Sequence, residues 1–474
     1  MVTDLVKLLM PNICLFFAII AQTVFGLLKS PKLAFRYKNV NIITSNIVSC
    51  IGILLSIIFQ LQVPKDYLGF DNSILSSAVS NCLSVLVLFC GLATILLAGP
   101  LLRDNRQSCY KFHILLLTAL IGALFTMCAN DFLTLFVSLE TLSFSLYFLI
   151  AFSRGYVSKE ASFKYLLINA VSVMFFLFGV SYLLGITSSL NFSEISQILT
   201  GEHNSIIYTI SGVMIVVGLV MKLAIFPFAN WVLDVYTGSD TAILAFLSTV
   251  PKVAVLGVLF RLLGTVLSYS FELNVIILLL AILTAFWANI YAIKENNIKR
   301  LLACSTSANS AYMLIVLAIV SQFNSAAVLF YLVCYVVMNI GVFAYLNLLE
   351  PTTKNFLLEE LPRVKNIGYV FAFLICLFGL AGLPITSGFV AKVYLLYALI
   401  ESGLLLLPIA FLLLILFALA LYYYIKIARS VATNREVIVS SKGSSLILVI
   451  SALVTFLLGV IPFSLIIYCV NVFA

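Results

Sequence analysis

Residues 218–257 read GLVMKLAIFPFANWVLDVYTGSDTAILAFLSTVPKVAVLG. Two apolar segments are joined by a short polar link. Each carries one lysine, Lys222 and Lys252, and each has a proline close by, Pro227 and Pro251. At membrane depth a lysine costs roughly 2.5–3.5 kcal/mol on insertion scales. A proline removes one backbone N–H and frees the carbonyl four residues back, here those of Leu223 and Leu247. A sequence built for stability alone has no reason to put a cation beside freed carbonyls in a bilayer twice. A path for protons or ions does.

Composition supplies the bilayer. The chain has 474 residues, 63% hydrophobic and 9% charged, whereas a soluble domain is about 45–50% apolar and about 25% charged. The net charge of +8 is therefore read as membrane topology, and no nucleic-acid partner is expected. The ten cysteines are scattered with no CxxC spacing, which argues against an iron–sulfur cluster or a zinc site. The two histidines, His113 and His203, lie far apart. There is no GxGxxG and no Walker A motif, so no nucleotide site is visible. No cofactor or metal is expected in this chain. The first apolar run lacks a small-residue cleavage site and reads as a retained helix.

A spanning helix needs about 20 apolar residues. That rule predicts an all-α polytopic protein with fourteen spans, near 8–28, 40–62, 75–100, 112–129, 131–152, 161–186, 205–228, 241–264, 273–292, 298–320, 324–348, 368–396, 402–427 and 444–468. With alternate loops assigned to one side, 19 of the 26 basic residues fall together. Only Lys7, Lys65 and Arg261 fall opposite, and Lys164, Lys222, Lys252 and Lys392 lie inside spans. By the positive-inside rule the rich side is cytoplasmic. Both termini are then expected on the outer, periplasmic side of a bacterial inner membrane.

Among the acidic residues only Glu140 sits well inside a span, while Asp131 and Glu160 lie near span ends. Ser143 and Tyr147 follow Glu140 at +3 and +7, on the same helix face. Lys164 comes one helix later, and a Glu140–Lys164 contact would lower the cost of both. A structural ion pair or a snorkelling amine is the competing reading, strongest for Lys164, only a few residues inside its span. Lys392 follows an interrupted segment containing Gly379, Gly382, Pro384 and Gly388. One carboxylate and four amines thus spread over five helices. That suits a lateral proton relay better than a pocket for an organic substrate.

The spacing also hints at repetition. Lys222 and Lys392 are 170 residues apart, and Tyr165 and Tyr331 are 166 apart. Five helices separate each pair, and an odd number per repeat inverts the second copy.

At these residues the sequence resembles a known family. LFVSLETLSFSLYFLIAF (135–152), MKLAIFPFANWVLDVY (221–236), AFLSTVPKVA (245–254), NIKRLLACSTSANSAYML (297–314) and GLAGLPITSGFVAKVYLL (379–396) resemble subunit N of proton-pumping NADH:quinone oxidoreductase, respiratory complex I. That subunit is one of the antiporter-like membrane subunits. The similarity extends from about residue 100 to 430. It implies fourteen helices with two inverted five-helix repeats, each containing a broken helix. The expected division is an N-terminal three-helix segment at 1–110, a first repeat at 111–264, a second, inverted repeat at 273–428 and a C-terminal helix at 429–474.

The resemblance also implies proton transfer coupled to quinone reduction elsewhere in the complex, with no redox centre in this chain. The implied partners are other membrane subunits, the lipid bilayer, protons and internal water. Glu140 matches the family's carboxylate, Lys164 its bridging lysine, Lys222 and Lys252 its central pair, and Lys392 its exit lysine. Two departures stand out. Asn309 and Ala229 occupy positions where family members usually have histidine. An asparagine can hydrogen-bond a water but cannot carry a proton at neutral pH, so Asn309 is expected as a hydrated link. The alternatives are a subunit of a multisubunit cation/proton antiporter, and a structural spacer that has lost transport.

Overall fold

A computed structural model describes residues 2–28, 38–104, 109–153, 155–199, 206–267, 271–319, 321–353, 356–403, 406–439 and 441–473. In lipid an open chain can satisfy its backbone N–H and C=O groups only as helix. The described residues accordingly form twenty helices. These are α1 Val2–Leu28, α2 Lys38–Gln60, α3 Ala78–Leu97, α4 Gly99–Asp104, α5 Cys109–Cys128, α6 Phe132–Ile150, α7 Tyr156–Thr187, α8 Phe192–Leu199, α9 Ile206–Lys222 and α10 Asn230–Gly238. There follow α11 Thr241–Leu247, α12 Val250–Gly264, α13 Phe271–Lys294, α14 Ile298–Leu317, α15 Gln322–Leu349, α16 Ile367–Ala381, α17 Ser387–Glu401, α18 Leu407–Thr433, α19 Lys442–Val460 and α20 Phe463–Phe473.

Polar side chains close several helix starts. Asp131 accepts the Thr134 amide at α6, Asn297 those of Lys299 and Arg300 at α14, and Asn366 that of Gly368 at α16. Each satisfies donors that a helix N-terminus leaves unpaired. Two very short sheets join the helices: an antiparallel hairpin of β1 Tyr67–Gly69 and β2 Ile74–Ser76, and a parallel pairing of β3 Arg363–Val364 with β4 Glu436–Val437. Strands of two or three residues leave no readable alternation, and the sequence did not announce them.

Among the described residues, eleven helices are long and apolar enough to cross a membrane, with α11 and α12 running on as one span. Three more apolar helices, α9, α16 and α20, are shorter. They fall where the expected spans 205–228, 368–396 and 444–468 break. The first stops at Lys222 ahead of Pro227, the second at Gly382, and the third around Pro462. Helix α14 is long enough, but Lys299, Arg300 and a run of serine, threonine and asparagine make it polar. Of the basic loop residues used for topology, Lys29, Lys32, Arg36, Arg106, Arg154 and Lys354 lie outside the described residues.

Burial separates a centre from a rim. The α11–α12 span and α15 are each 89% buried, whereas α1 and α2 are only 28% buried. Every residue of α14 from Leu301 to Leu317 is buried. A helix polar along its length is stable in a bilayer only when other helices enclose it. The rim helices instead present Phe, Leu and Ile outward, such as Phe16, Phe17, Phe178 and Phe411. One close approach positions the site. A Cβ on Gly218 would lie 2.8 Å from the Ser172 carbonyl and from the Phe176 Cβ. The missing side chain lets α9 lie against α7, and Ser172 Oγ donates to the Gly218 carbonyl at 2.6 Å.

Candidate proton-transfer site

The close approach of α7 and α9 places Lys222, the last residue of α9, against α6. Its Nζ lies 3.3 Å from Glu140 Oε1, with the two side chains only 9% and 17% exposed. The amine also donates to Asn169 Oδ1 at 2.5 Å and to Ser143 Oγ at 3.1 Å. Asn169 Nδ2 in turn donates to Glu140 Oε1 at 3.3 Å and to the Tyr147 hydroxyl. Glu140, Ser143 and Tyr147 therefore share the polar face that their spacing predicts. A cavity of about 10 Å³, lined in part by Glu140, Gly218 and Lys222, adjoins the pair. That is at the lower size limit for a single water.

Lys164 is not part of this cluster, which corrects the expected Glu140–Lys164 contact. Its Nζ lies 2.8 Å from Asp234 Oδ2 and 2.8 Å from Glu160 Oε1, with all three side chains more than 40% exposed. Asp234 also faces Arg300 at 3.7 Å, and Arg300 pairs with Glu295 at 3.0 Å. The reason is α10. The sequence there reads as a link, but it folds as a helix that carries Asp234 to the end of α7. Lys164→Ala is expected to leave assembly unchanged, because exposed pairs contribute little to folding. Its effect on proton translocation should be smaller than that of any substitution at Lys222, as measured by proton uptake in sealed vesicles.

Lys252 is buried, 4% exposed, in the first turn of α12. Pro251 begins that helix rather than interrupting one. The carbonyl that Lys252 takes comes from another element: Nζ donates to Thr306 O at 2.5 Å. The amine also lies 5.9 Å from the Tyr335 ring centre. Around it the Tyr236 hydroxyl meets Thr306 Oγ1 at 3.1 Å, Tyr335 donates to Ser248 O at 3.1 Å, and Asn339 donates to Ser248 Oγ at 2.6 Å.

One turn further along α14, Asn309 Oδ1 accepts the Tyr331 hydroxyl at 2.6 Å, and its Nδ2 donates to Ser305 O at 2.8 Å. The Ser305 hydroxyl meets that of Tyr424 at 2.5 Å. Tyr331→Phe leaves the buried Asn309 oxygen without its donor. An unmade buried hydrogen bond costs about 1–3 kcal/mol. A lowered thermal midpoint and slower proton uptake are expected, and wild-type values for both would remove Asn309 from the path.

Lys392 lies in the second turn of α17, and its side chain reaches back to the end of α16. Its Nζ donates to Leu380 O at 3.0 Å and Ala381 O at 2.7 Å, and lies 4.9 Å from the Phe417 ring centre. Phe417 meets Tyr312 of α14 edge-on at 4.8 Å. Helix α14 thus touches the surroundings of Lys252 through Thr306 and those of Lys392 through Tyr312. Among the described residues, no carboxylate lies within ion-pair distance of Lys252 or Lys392. Asn169, Asp234, Tyr236 and Thr306 were not singled out from sequence. Asn169 is the most visible of them, five residues after Lys164 and behind the apolar run of Leu166, Leu167 and Ile168. The described residues contain no group of three His, Cys, Asp or Glu arranged to hold a metal.

Residues 129–418 match the family of NADH:quinone oxidoreductase and Mrp antiporter transmembrane subunits. NADH-quinone oxidoreductase subunit N from Herminiimonas arsenicoxydans is 31% identical over 426 residues, covering 85% of this chain and 85% of that protein. A chain of respiratory complex I from Thermus thermophilus, solved with bound aureothin, superposes with a TM-score of 0.81 at 26% identity, covering 96% of this chain and 98% of that one. A chain of the Mrp complex from a Dietzia species shares the fold, with a TM-score of 0.81 at 16% identity, covering 100% of this chain and 97% of that one. This multi-pass membrane chain belongs to the NADH:quinone oxidoreductase/Mrp antiporter family, on its subunit N-like branch.

Proposed function

We propose that this chain is a proton-translocating membrane subunit of an NADH:quinone oxidoreductase, moving protons along an axis through Lys222, Lys252, Asn309 and Lys392. The observation that carries this reading is the buried Glu140–Lys222 pair, tied by Asn169 and followed by two buried amines that have no carboxylate partner among the described residues. A pair kept for stability alone gains little in such a setting, because desolvation offsets attraction. A proton relay needs groups of this kind. Glu140 biases Lys222 directly, and Lys164 stays at the rim with Asp234 and Glu160. When charge from a neighbouring subunit weakens the Glu140–Lys222 attraction, the Lys222 proton is free to leave toward Lys252. Asn309 holds a water-bearing link, and Lys392 serves the outlet.

The chain holds no redox centre of its own in this reading. NADH oxidation and quinone reduction take place in other subunits, and their signal arrives through neighbouring membrane subunits. The face richer in Lys and Arg is cytoplasmic, in a bacterial inner membrane, with both ends of the chain on the periplasmic side. The two halves work as inverted repeats, each with its own broken helix. Native purification of the tagged protein tests the assignment, with NADH:quinone activity and proton uptake assayed in one preparation. Co-purification with an active, proton-pumping assembly is the expected result. Isolation with antiporter subunits and Na⁺/H⁺ exchange would overturn it in favour of the antiporter branch.

A further inference from the structure

A second buried ion pair lies outside the series above. Glu350 follows the last residue of α15, and Lys299 is in the first turn of α14. Their charged atoms are 3.8 Å apart, and the side chains are 20% and 8% exposed. Lys299 Nζ also donates to Ser239 O at 2.8 Å and lies 4.5 Å from the Phe356 ring centre. Glu350 Oε1 accepts the Thr241 amide at 3.0 Å, and Oε2 accepts its hydroxyl at 2.5 Å. Next to Thr241, Asp240 holds the Ser153 hydroxyl at 2.6 Å. Burial pushes the Glu350 carboxyl above its ordinary value; Lys299 opposes this and Asp240 adds to it.

Two aspects of this cluster call for more than a structural role. A buried ion pair is weak as a source of stability, since apolar replacements are often neutral or better. Its position also leads inward. The α10–α11 junction and the start of α14 meet at the pair, and the same two elements run on to Lys252. Tyr236 of α10 meets Thr306 of α14, whose carbonyl takes the Lys252 amine. From Lys299 to Thr306 is two turns of helix, roughly 10 Å. At the other end, Glu350 keeps some exposure on the side of the molecule that carries Lys294 and Arg300.

The geometry points to Glu350, paired with Lys299, as the carboxyl that takes a proton from water at the basic face and delivers it to Lys252. This rests on the proton-translocating reading above. A hydronium ion gives its proton to the Glu350 carboxylate and leaves as water, while Lys299 stays an ammonium on the Ser239 carbonyl. The new O–H bond then breaks. Its proton passes through the Tyr236 and Thr306 hydroxyls and intervening water to the lone pair of a neutral Lys252 amine. Glu350 returns to the carboxylate beside Lys299. Each hydroxyl accepts one proton and gives one up.

The test uses the whole complex in sealed vesicles, with Glu350→Gln, Glu350→Asp and Lys222→Met side by side. NADH oxidation with ferricyanide reads assembly, and quinone-driven proton uptake reads transport. Glu350→Gln is expected to lower proton uptake by at least about ten-fold at an unchanged ferricyanide rate, as for loss of a proton-transfer group. Glu350→Asp should restore most of the uptake with a shifted pH profile, which a merely structural role would not produce. Wild-type uptake in Glu350→Gln while Lys222→Met has lost it would overturn this inference and leave the proposed function standing. Should the Gln variant fail to assemble, an Asp variant with an unaltered pH profile overturns it equally. Wild-type uptake in both Glu350→Gln and Lys222→Met would sink the proposed function as well.

Discussion

Lys222→Met should abolish proton uptake while the complex still assembles. Methionine is unbranched, one heavy atom shorter and apolar, suited to Phe136, Leu139 and Leu219, which line the same cavity. What it removes is the ammonium within reach of Glu140, Ser143 and Asn169. Glu140 is then left with a single donor, Asn169 at 3.3 Å. Removing one partner of a buried pair costs about 3–5 kcal/mol, because the remaining charge is uncompensated. A second variant separates the two consequences. Adding Glu140→Gln to Lys222→Met takes away the orphaned charge, so the thermal midpoint should recover while proton uptake does not. Retained uptake in the single variant would remove Lys222 from the path, and a midpoint that fails to recover in the double variant would show that the pair was not the source of the loss.

The second large effect is expected at Gly388. A Cβ there would lie 1.8 Å from the Gly379 carbonyl oxygen, a backbone atom that cannot step aside. Gly388→Ala must therefore push α17 away from the end of α16. Effects above about 4 kcal/mol are confined to a few mechanisms, and a forced backbone shift in a core is one of them. The same shift draws Lys392 off Leu380 and Ala381, so any assembled fraction should also pump poorly. Gly185 provides the control. Nothing lies within 4 Å of a Cβ there, inside α7. Gly185→Ala should be neutral or stabilising by up to about 1 kcal/mol, the helix-propensity difference. Assembled yield and thermal midpoint of both variants decide the matter, and equal behaviour would contradict the packing described for the break.

The charged residues of the axis were legible because a charge in an apolar run is expensive and so conspicuous. Their pairing was not. On sequence grounds Glu140 is paired with Lys164, one helix later, and what gives the contact to Lys222 instead is the lean of α9 on α7 at Gly218 together with a helix, α10, that reads as a link. Uncharged partners such as Asn169 and Thr306 carry no comparable signal, since a hydroxyl or amide in a helix can bond a carbonyl three or four residues back, as Thr306 and Asn289 do, without any distant partner. The breaks followed the same rule. Four glycine and proline residues within ten positions gave away the one at Gly382, but the lone Pro462 was lost in an apolar stretch that continues on both sides.

The unequal surroundings of the three buried amines have one more consequence. Lys222 has a carboxylate at 3.3 Å, while Lys252 and Lys392 meet carbonyls and ring faces and, among the described residues, no carboxylate. Along the axis one fixed negative charge faces three amines. Electroneutrality is met by a single ammonium, and a second one enters an interior already balanced and is repelled by the first at low dielectric. On the proposed proton path such a file would be self-metering: a proton arriving on one amine would itself be the force that expels another at Lys392.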